Sequence, residues 1–273
     1  MRIHTVFSID DSPYQCWQAD LLAYSHQKVH QPGFLTRLWS GWGQPPVFDG
    51  RTFQTMPFSL HSVSGDNYPP YNKPMALLAW LQESPSADEA VLLLDPDCIF
   101  VAACDLQVTR GSPISQPISY MDPWSKAELV QRHGCAPALA QGIGIPTLIH
   151  RDDLAALTPW WVEITEEIRS DPVSSQLAGW TAEMWGYTLA AARLGLRHQL
   201  RDLARWQMED QADLPIIHYC YSSSNRDGQW QWDKRTYRPW EQVLNPPPNT
   251  PLATVALISI LNECVTRHEN QIF

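Results

Sequence analysis

The 273-residue chain is long for one domain yet too short to demand two, so a single domain over residues 1–273 with elaborated loops is expected. Its 29 acidic and 19 basic residues give a net charge of −10, which argues against nonspecific attraction to nucleic acid or an anionic membrane and leaves any phosphate-bearing ligand to a few local cations or a metal ion. Six scattered cysteines without a C-x-x-C pair, an N-terminus that turns polar too soon for a signal sequence, and no long apolar run predict a cytoplasmic protein with reduced thiols and no membrane insertion.

In chain order, Thr5 to Ile9 predicts a short strand, Asp10-Asp11-Ser12-Pro13 a turn and helix start, and Tyr14 to His30 a helix. Phe34 to Trp39 reads as a second strand, the Gly/Pro-rich stretch 41–50 as irregular, and 51–71 as mostly loop. Pro74 lies in the first turn of a helix reaching about Glu83, where its missing N–H costs nothing. Ala90 to Leu94 is a continuous apolar run, the pattern of a strand buried on both faces, and it stops at Asp95-Pro96-Asp97. An apolar segment at Ile99–Ala103, a strand over Ile114–Met121, a helix over Trp124–His133 and a short strand through Ile149 follow. Asp152 is read as the cap of a helix toward Ile168 with a break or kink at Pro159, and Ser174 or Ser175 as the cap of another to about Leu194. A strand at Leu214–Cys220 and a helix over Leu252–His268 close an α/β order with a mixed, mostly parallel sheet flanked by helices.

Asp95 and Asp97 stand two apart at a strand end, so their side chains project to one side about 7 Å apart at the backbone, the presentation a hard cation such as Mn²⁺ or Mg²⁺ requires. With 18 aspartates in the chain, about one Asp-x-Asp arises by chance, and a solvated turn is the competing reading. His218 is either a hydrogen-bonded core residue or a third ligand. Lys234, beside Arg235, either neutralises a leaving diphosphate or belongs to a solvated basic pair. Glu183 lies among the aromatics of 180–187, where a carboxylate is costly unless it is paired or faces a cleft. Gly142-x-Gly144 lacks the third glycine of a dinucleotide fingerprint and precedes a strand, so it is dismissed. Two rival readings stay open on residues alone: a glycoside hydrolase pairing Asp95 or Asp97 with Glu183, and a sugar-binding module whose tryptophans stack on sugars.

Taken in order, the blocks Tyr14–Gln18, Thr36–Gly41, Asn72-Lys73-Pro74, Asp95–Val101, Gly179-Trp180, Glu183–Tyr187, Gly195–His198, Ile217–Tyr219 and Trp232–Tyr237 resemble the plant and algal hydroxyproline O-arabinosyltransferases and the related peptidyl-serine O-galactosyltransferases over nearly the whole chain. The resemblance implies a GT-A-type fold, a UDP-sugar donor, a divalent cation, and transfer with retention to a hydroxyl acceptor, whether peptide, glycan or small molecule. It implies a metal site of Asp97 and His218, with Asp95 supporting the metal or the donor ribose. Lys234 and Glu183 become the catalytic candidates, the first for charge on departing UDP and the second for binding or orienting the sugar. Ser8, Ile9, Asp10, Arg37, Asn72 and Lys73 take places that recognise nucleotide and diphosphate. Asp95 departs from the glutamate of the arabinosyltransferases, and the chain lacks their N-terminal anchor, so a soluble homologue is expected.

Overall fold

The computed structural model describes residues 2–83 and 90–272. From the N-terminus, β1 (Ile3–Asp10) leads to Ser12, whose hydroxyl accepts from Gln15 N and caps α1 (Pro13–Lys28). There follow β2 (Leu35–Ser40), β3 (Arg51–Thr55), α2 (Asn72–Glu83), β4 (Ala90–Leu94) and β5 (Cys98–Phe100). The middle of the chain forms β6 (Ile114–Pro117), α3 (Ala127–Arg132), β7 (Ile143–His150), α4 (Arg151–Ser170), α5 (Pro172–Ala178) and α6 (Ala182–Arg193). Short strands β8 (Gln199–Leu200), β9 (Ala204–Trp206), β10 (Ile216–His218), β11 (Ser223–Ser224) and β12 (Gln231–Trp232) precede α7 (Leu252–Ile272).

The main sheet has the order β3-β2-β1-β4-β7-β6-β8. Its first four strands are parallel, β7 runs antiparallel to both β4 and β6, and β6 pairs parallel with β8. The strands β2 and β4 are buried along their whole length, as expected of a sheet covered on both faces. Alternation divides the core: Val6, Leu38, Val91 and Leu93 pack with α2, α4 and α6, while Phe7, Ile9, Leu35, Trp39, Leu92 and Leu94 pack with α1. A third cluster joins Trp17 and Leu21 of α1 to Ile217, Tyr219, Trp232 and the apolar face of α7. A smaller sheet, β5-β10-β9, stands beside the main one.

Several expectations are corrected. Residues 51–55 form an edge strand inside the stretch read as loop; its sequence, Arg-Thr-Phe-Gln-Thr, is half exposed and carries no apolar run. The helix expected from Ser174 to Leu194 is two helices. Asp171 caps α5 by accepting from Ser174 N, and Gly179, at φ 58°, ends it. α4 runs unbroken past Pro159, which lies on its exposed face, and His150 instead of Asp152 supplies the cap. The strand from Ile114 ends at Pro117, with a single 3₁₀ turn over Ser119–Met121. Among the described residues, no helix is long and apolar enough to cross a membrane.

Candidate active site

The parallel strands β1 and β4 end on the same edge of the sheet. Phe7 lies opposite Leu94 in register, so Ser8, Ile9 and Asp10, the last three residues of β1, run on beside Asp95 and Asp97. They border a cavity of about 450 Å³ whose lining also includes Asn72, Lys73, Glu183 and His218. The second carboxylate is held by a distant strand. In the antiparallel pairing of β5 with β10, His218 stands opposite Cys98, and Tyr219 N donates to Asp97 O at 2.9 Å. His218 Nε2 thereby lies 3.1 Å from Asp97 Oδ1 and 4.0 Å from Asp95 Oδ2. Lys234, just beyond β12, pairs with the other oxygen of Asp97.

Burial alone would raise the Asp97 carboxyl, but His218 and Lys234 outweigh it and hold the group far below the usual carboxylate range. Burial likewise opposes the cationic forms of His218 and Lys234, and Asp97 reverses both, raising their pKa values.

On the opposite wall, Lys73 Nζ lies 2.7 Å from Asp95 Oδ1 and 3.6 Å from Glu183 Oε2. Burial works against the Lys73 ammonium, but Asp95 and Glu183 raise its pKa above the ordinary lysine value. Glu183 opens α6 in a fixed position: its N–H donates to Tyr68 Oη at 3.0 Å, its carbonyl accepts from Trp161 Nε1 at 2.8 Å, and the Tyr68 hydroxyl donates to Trp180 O at 2.8 Å. Three residues on, Gly186 lets α6 lie directly on α4, since a Cβ there would fall 2.1 Å from Thr165 Oγ1. Glu183 is 5% exposed, and burial pushes its pKa up to about 7, with Lys73 opposing and Asp95 adding to the rise.

The remaining candidates divide. Asn72 borders the cavity, but its amide is engaged, accepting from Phe58 N at 2.7 Å and donating to Ser59 Oγ at 3.0 Å. Asp10 accepts from Ser12 N at 2.9 Å and so organises the start of α1 as well as the cavity rim. Arg37 does not reach the cavity. Its position in β2 shares the parity of Leu35 and Trp39 and turns it toward α1. There it donates to Pro46 O at 2.7 Å and Thr52 Oγ1 at 3.0 Å and stacks 4.4 Å over Phe48, pinning the Gly/Pro-rich stretch. Gly142 and Gly144 serve packing, since a Cβ on Gly144 would meet Ile118 Cγ1 at 2.2 Å. Tyr120, Trp206 and Tyr221 also line the cavity and Tyr68 holds Glu183, four residues that no motif in the sequence marks. Trp206 lies 5.2 Å from the His218 ring, and no spacing in the sequence announces that contact.

The donor set suits a hard divalent cation: two carboxylates and one imidazole nitrogen converge at strand ends. His218 Nδ1 has no hydrogen-bond partner among the described residues, so Nε2 is the nitrogen presented to the carboxylates. Cys98 also lies close, with Asp97, Cys98 and His218 ligand atoms all within 4.8 Å of one another. Burial raises its thiol pKa well above the free value, which keeps it protonated and a poor partner for such an ion.

Solved structures share this architecture. The galactosyltransferase LgtC, crystallised with donor and acceptor sugar analogs, superposes with a TM-score of 0.53 at 12% identity over 95% of each chain. The bifunctional glycosyltransferase WbbM superposes with a TM-score of 0.54 at 11% identity over 100% of this chain and 52% of its own. The fold is therefore the GT-A fold of glycosyltransferases. The profile of the hydroxyproline O-arabinosyltransferase family N-terminal domain matches residues 3–200, and the chain belongs to that family of glycosyltransferases. Peptidyl serine alpha-galactosyltransferase of Arabidopsis thaliana is 36% identical over 219 residues, which is 74% of this chain and 27% of the relative. Hydroxyproline O-arabinosyltransferase RDN1 of Medicago truncatula is 27% identical over 98% of this chain and 82% of its own length.

Proposed function

We propose that the chain transfers a glycosyl group from a UDP-sugar to a hydroxyl of a peptidyl hydroxyproline or serine, with retention of configuration and with Mn²⁺ or Mg²⁺ held by Asp95, Asp97 and His218. The observation that carries this reading is the convergence of those three side chains with Lys73 on one cavity at the strand ends, with Lys234 paired to Asp97 behind them. When bound, the cation would offset negative charge on the donor diphosphate.

The protein's own groups do the rest. In transfer, the bond from the anomeric carbon to the phosphate oxygen breaks, and UDP leaves with the electron pair. The acceptor oxygen forms the new bond on the same face, and its proton passes to the departing phosphate oxygen. Lys234 and Lys73 supply fixed positive charge where the leaving group gains negative charge. Glu183, beside Lys73, accepts hydrogen bonds from sugar hydroxyls and orients the ring; retention with phosphate as base needs no separate carboxylate base. Asp97 is a poor general acid for the rival hydrolase reading, since its two oxygens are both held by cationic groups. A reducing compartment is inferred with this reading and is supported by six free cysteines.

The test is a panel of UDP-sugars with Mn²⁺, scored by UDP release and by thermal shift. Release with at least one donor and a shift with UDP plus Mn²⁺ are expected. No response to any donor, with Asp97→Ala behaving as wild type, would sink the reading.

A further inference from the structure

Beside Asp97 and His218 stands a sulfur that a hard cation leaves idle. In the antiparallel pairing of β5 with β10, Cys98 lies opposite His218, and directly opposed residues carry their side chains on one face. Asp97 immediately precedes Cys98, and its main-chain carbonyl accepts from Tyr219 N at 2.9 Å, which pins the two strands together at this point. The Cys98 sulfur, a ring nitrogen of His218 and a carboxylate oxygen of Asp97 thereby lie within 4.8 Å of one another. Asp97 and His218 reach the wall of the cavity, while Cys98, 0% exposed, is buried behind them. An ion entering by the cavity meets the oxygen and nitrogen first and the sulfur last.

This triplet differs in chemistry from the pair of carboxylates in front of it. Mn²⁺ and Mg²⁺ take oxygen by preference, whereas sulfur, nitrogen and oxygen together are a donor set for Zn²⁺. Bonds of about 2.0–2.3 Å put the ligand atoms of one tetrahedral zinc about 3.5 Å apart, so the cluster closes on the ion by shifts of about 1 Å. Lys234 holds the second oxygen of Asp97 and turns the first, 3.1 Å from His218 Nε2, toward the site.

We propose that Asp97, Cys98 and His218 form a zinc-binding site, and that zinc held there excludes the Mn²⁺ or Mg²⁺ of the catalytic cavity because both ions draw on Asp97 and His218. Zinc binding stands independently of glycosyl transfer. Coordination forms Zn–S, Zn–N and Zn–O bonds, and the thiol proton and any proton on His218 Nε2 pass to solvent. The thiolate and the carboxylate then balance the two positive charges of the ion, which suits a site this deeply buried. The fourth position falls to water or to Asp95, whose Oδ2 lies 4.0 Å from His218 Nε2. Affinity at nitrogen and sulfur donors rises from manganese to zinc, so zinc takes the shared ligands at concentrations where manganese does not. The consequence is inhibition by zinc through the protein's own metal ligands.

The experiment titrates the reduced full chain with Co²⁺, which takes zinc sites and reports a bound thiolate by sulfur-to-metal charge-transfer absorption. One Co²⁺ per chain with that absorption is expected, and Zn²⁺ should displace it. Cys98→Ser, nearly isosteric, is expected to abolish the absorption and to weaken zinc binding at least about tenfold. Cys98→Ala serves as the second variant, and a thermal melt of each confirms that the chain is folded. Cys220→Ser, which changes the thiol lining the cavity, should keep the absorption. Excess Mn²⁺ should compete with zinc in wild type. No charge-transfer absorption in wild type, absorption that persists in both Cys98 variants or vanishes in Cys220→Ser, or zinc and manganese bound together would overturn the assignment. Each of these outcomes leaves the glycosyl-transfer reading untouched, whereas a wild type that turns over no UDP-sugar yet binds Co²⁺ through Cys98 would overturn that reading alone.

Discussion

Asp97 accepts from two cationic groups at once, His218 on one carboxylate oxygen and Lys234 on the other, and it is the residue on which the cluster turns. Its replacement by alanine removes the anion that holds His218 and Lys234 in place, so we predict loss of the thermal shift with UDP and Mn²⁺ and at least a 100-fold fall in UDP-sugar turnover. Lys234→Ala is expected to weaken UDP binding about tenfold or more by calorimetry, since the ammonium is read as a partner of the diphosphate. Glu183 gives a pH signature. Its folded carboxyl titrates near 7 against 4.5 for the free group, so the protonated form is favoured in the fold. The stability it confers is complete below about pH 4.5 and is lost as pH rises through about 7. Glu183→Gln, neutral throughout, should therefore gain on wild type between pH 5 and 8, by up to about 3 kcal/mol in urea unfolding; a difference that stays flat over that range would contradict it. Of these residues, Asp95 and Asp97 are visible from sequence because they interrupt a strand-length apolar run. The salt bridge between Lys73 and Glu183 is not, since it depends on how two helix starts 110 positions apart are packed. Arg37 was misplaced for a simpler reason: its neighbours Leu35 and Trp39 already declare which face of β2 it shares.

Elements were legible in proportion to the strength of their own patterns. The strand β4, five buried residues, and α2, with its proline in the first turn, stand where apolar periodicity places them. The edge strand β3 escaped because its residues are chosen for an exposed edge and its pairing comes wholly from β2. The division between α5 and α6 escaped because a single glycine with positive φ leaves the helical spacing on either side intact. The contact of α6 with α4 carries its own prediction. Alanine has a higher helix propensity than glycine by about 1 kcal/mol, yet Gly186→Ala would put a Cβ 2.1 Å from Thr165 Oγ1 and 3.0 Å from Trp161 O. The clash should win, at about 1–3 kcal/mol net destabilisation, and Thr165→Ala in the same chain should recover part of it. Urea midpoints of the two single variants and the double variant decide it; additive losses would exclude the contact as the cause.

At the scale of the molecule, the candidate site is drawn from both ends of the chain. The family profile ends at residue 200, whereas His218 and Lys234 follow it, and the cluster of Trp17, Tyr219, Trp232 and α7 supports the segment carrying both. Leu257→Ala in that cluster should cost about 2–5 kcal/mol and also weaken UDP binding, because the support beneath β10 and β12 loosens with it. Charge carries a further consequence. The carboxylates of Asp95 and Asp97, and Glu183 where it is ionised, stand against Lys73, His218 and Lys234, so a chain of net charge −10 gathers at and beside its active cavity a patch in which most charge is internally paired. Such a patch has little long-range pull on a nucleotide dianion, and what pull it has is shared out among its own members. Affinity for free UDP should then be low and nearly indifferent to ionic strength, and it should rise steeply once Mn²⁺ tips the balance toward positive, so that cation and nucleotide are taken up as one event.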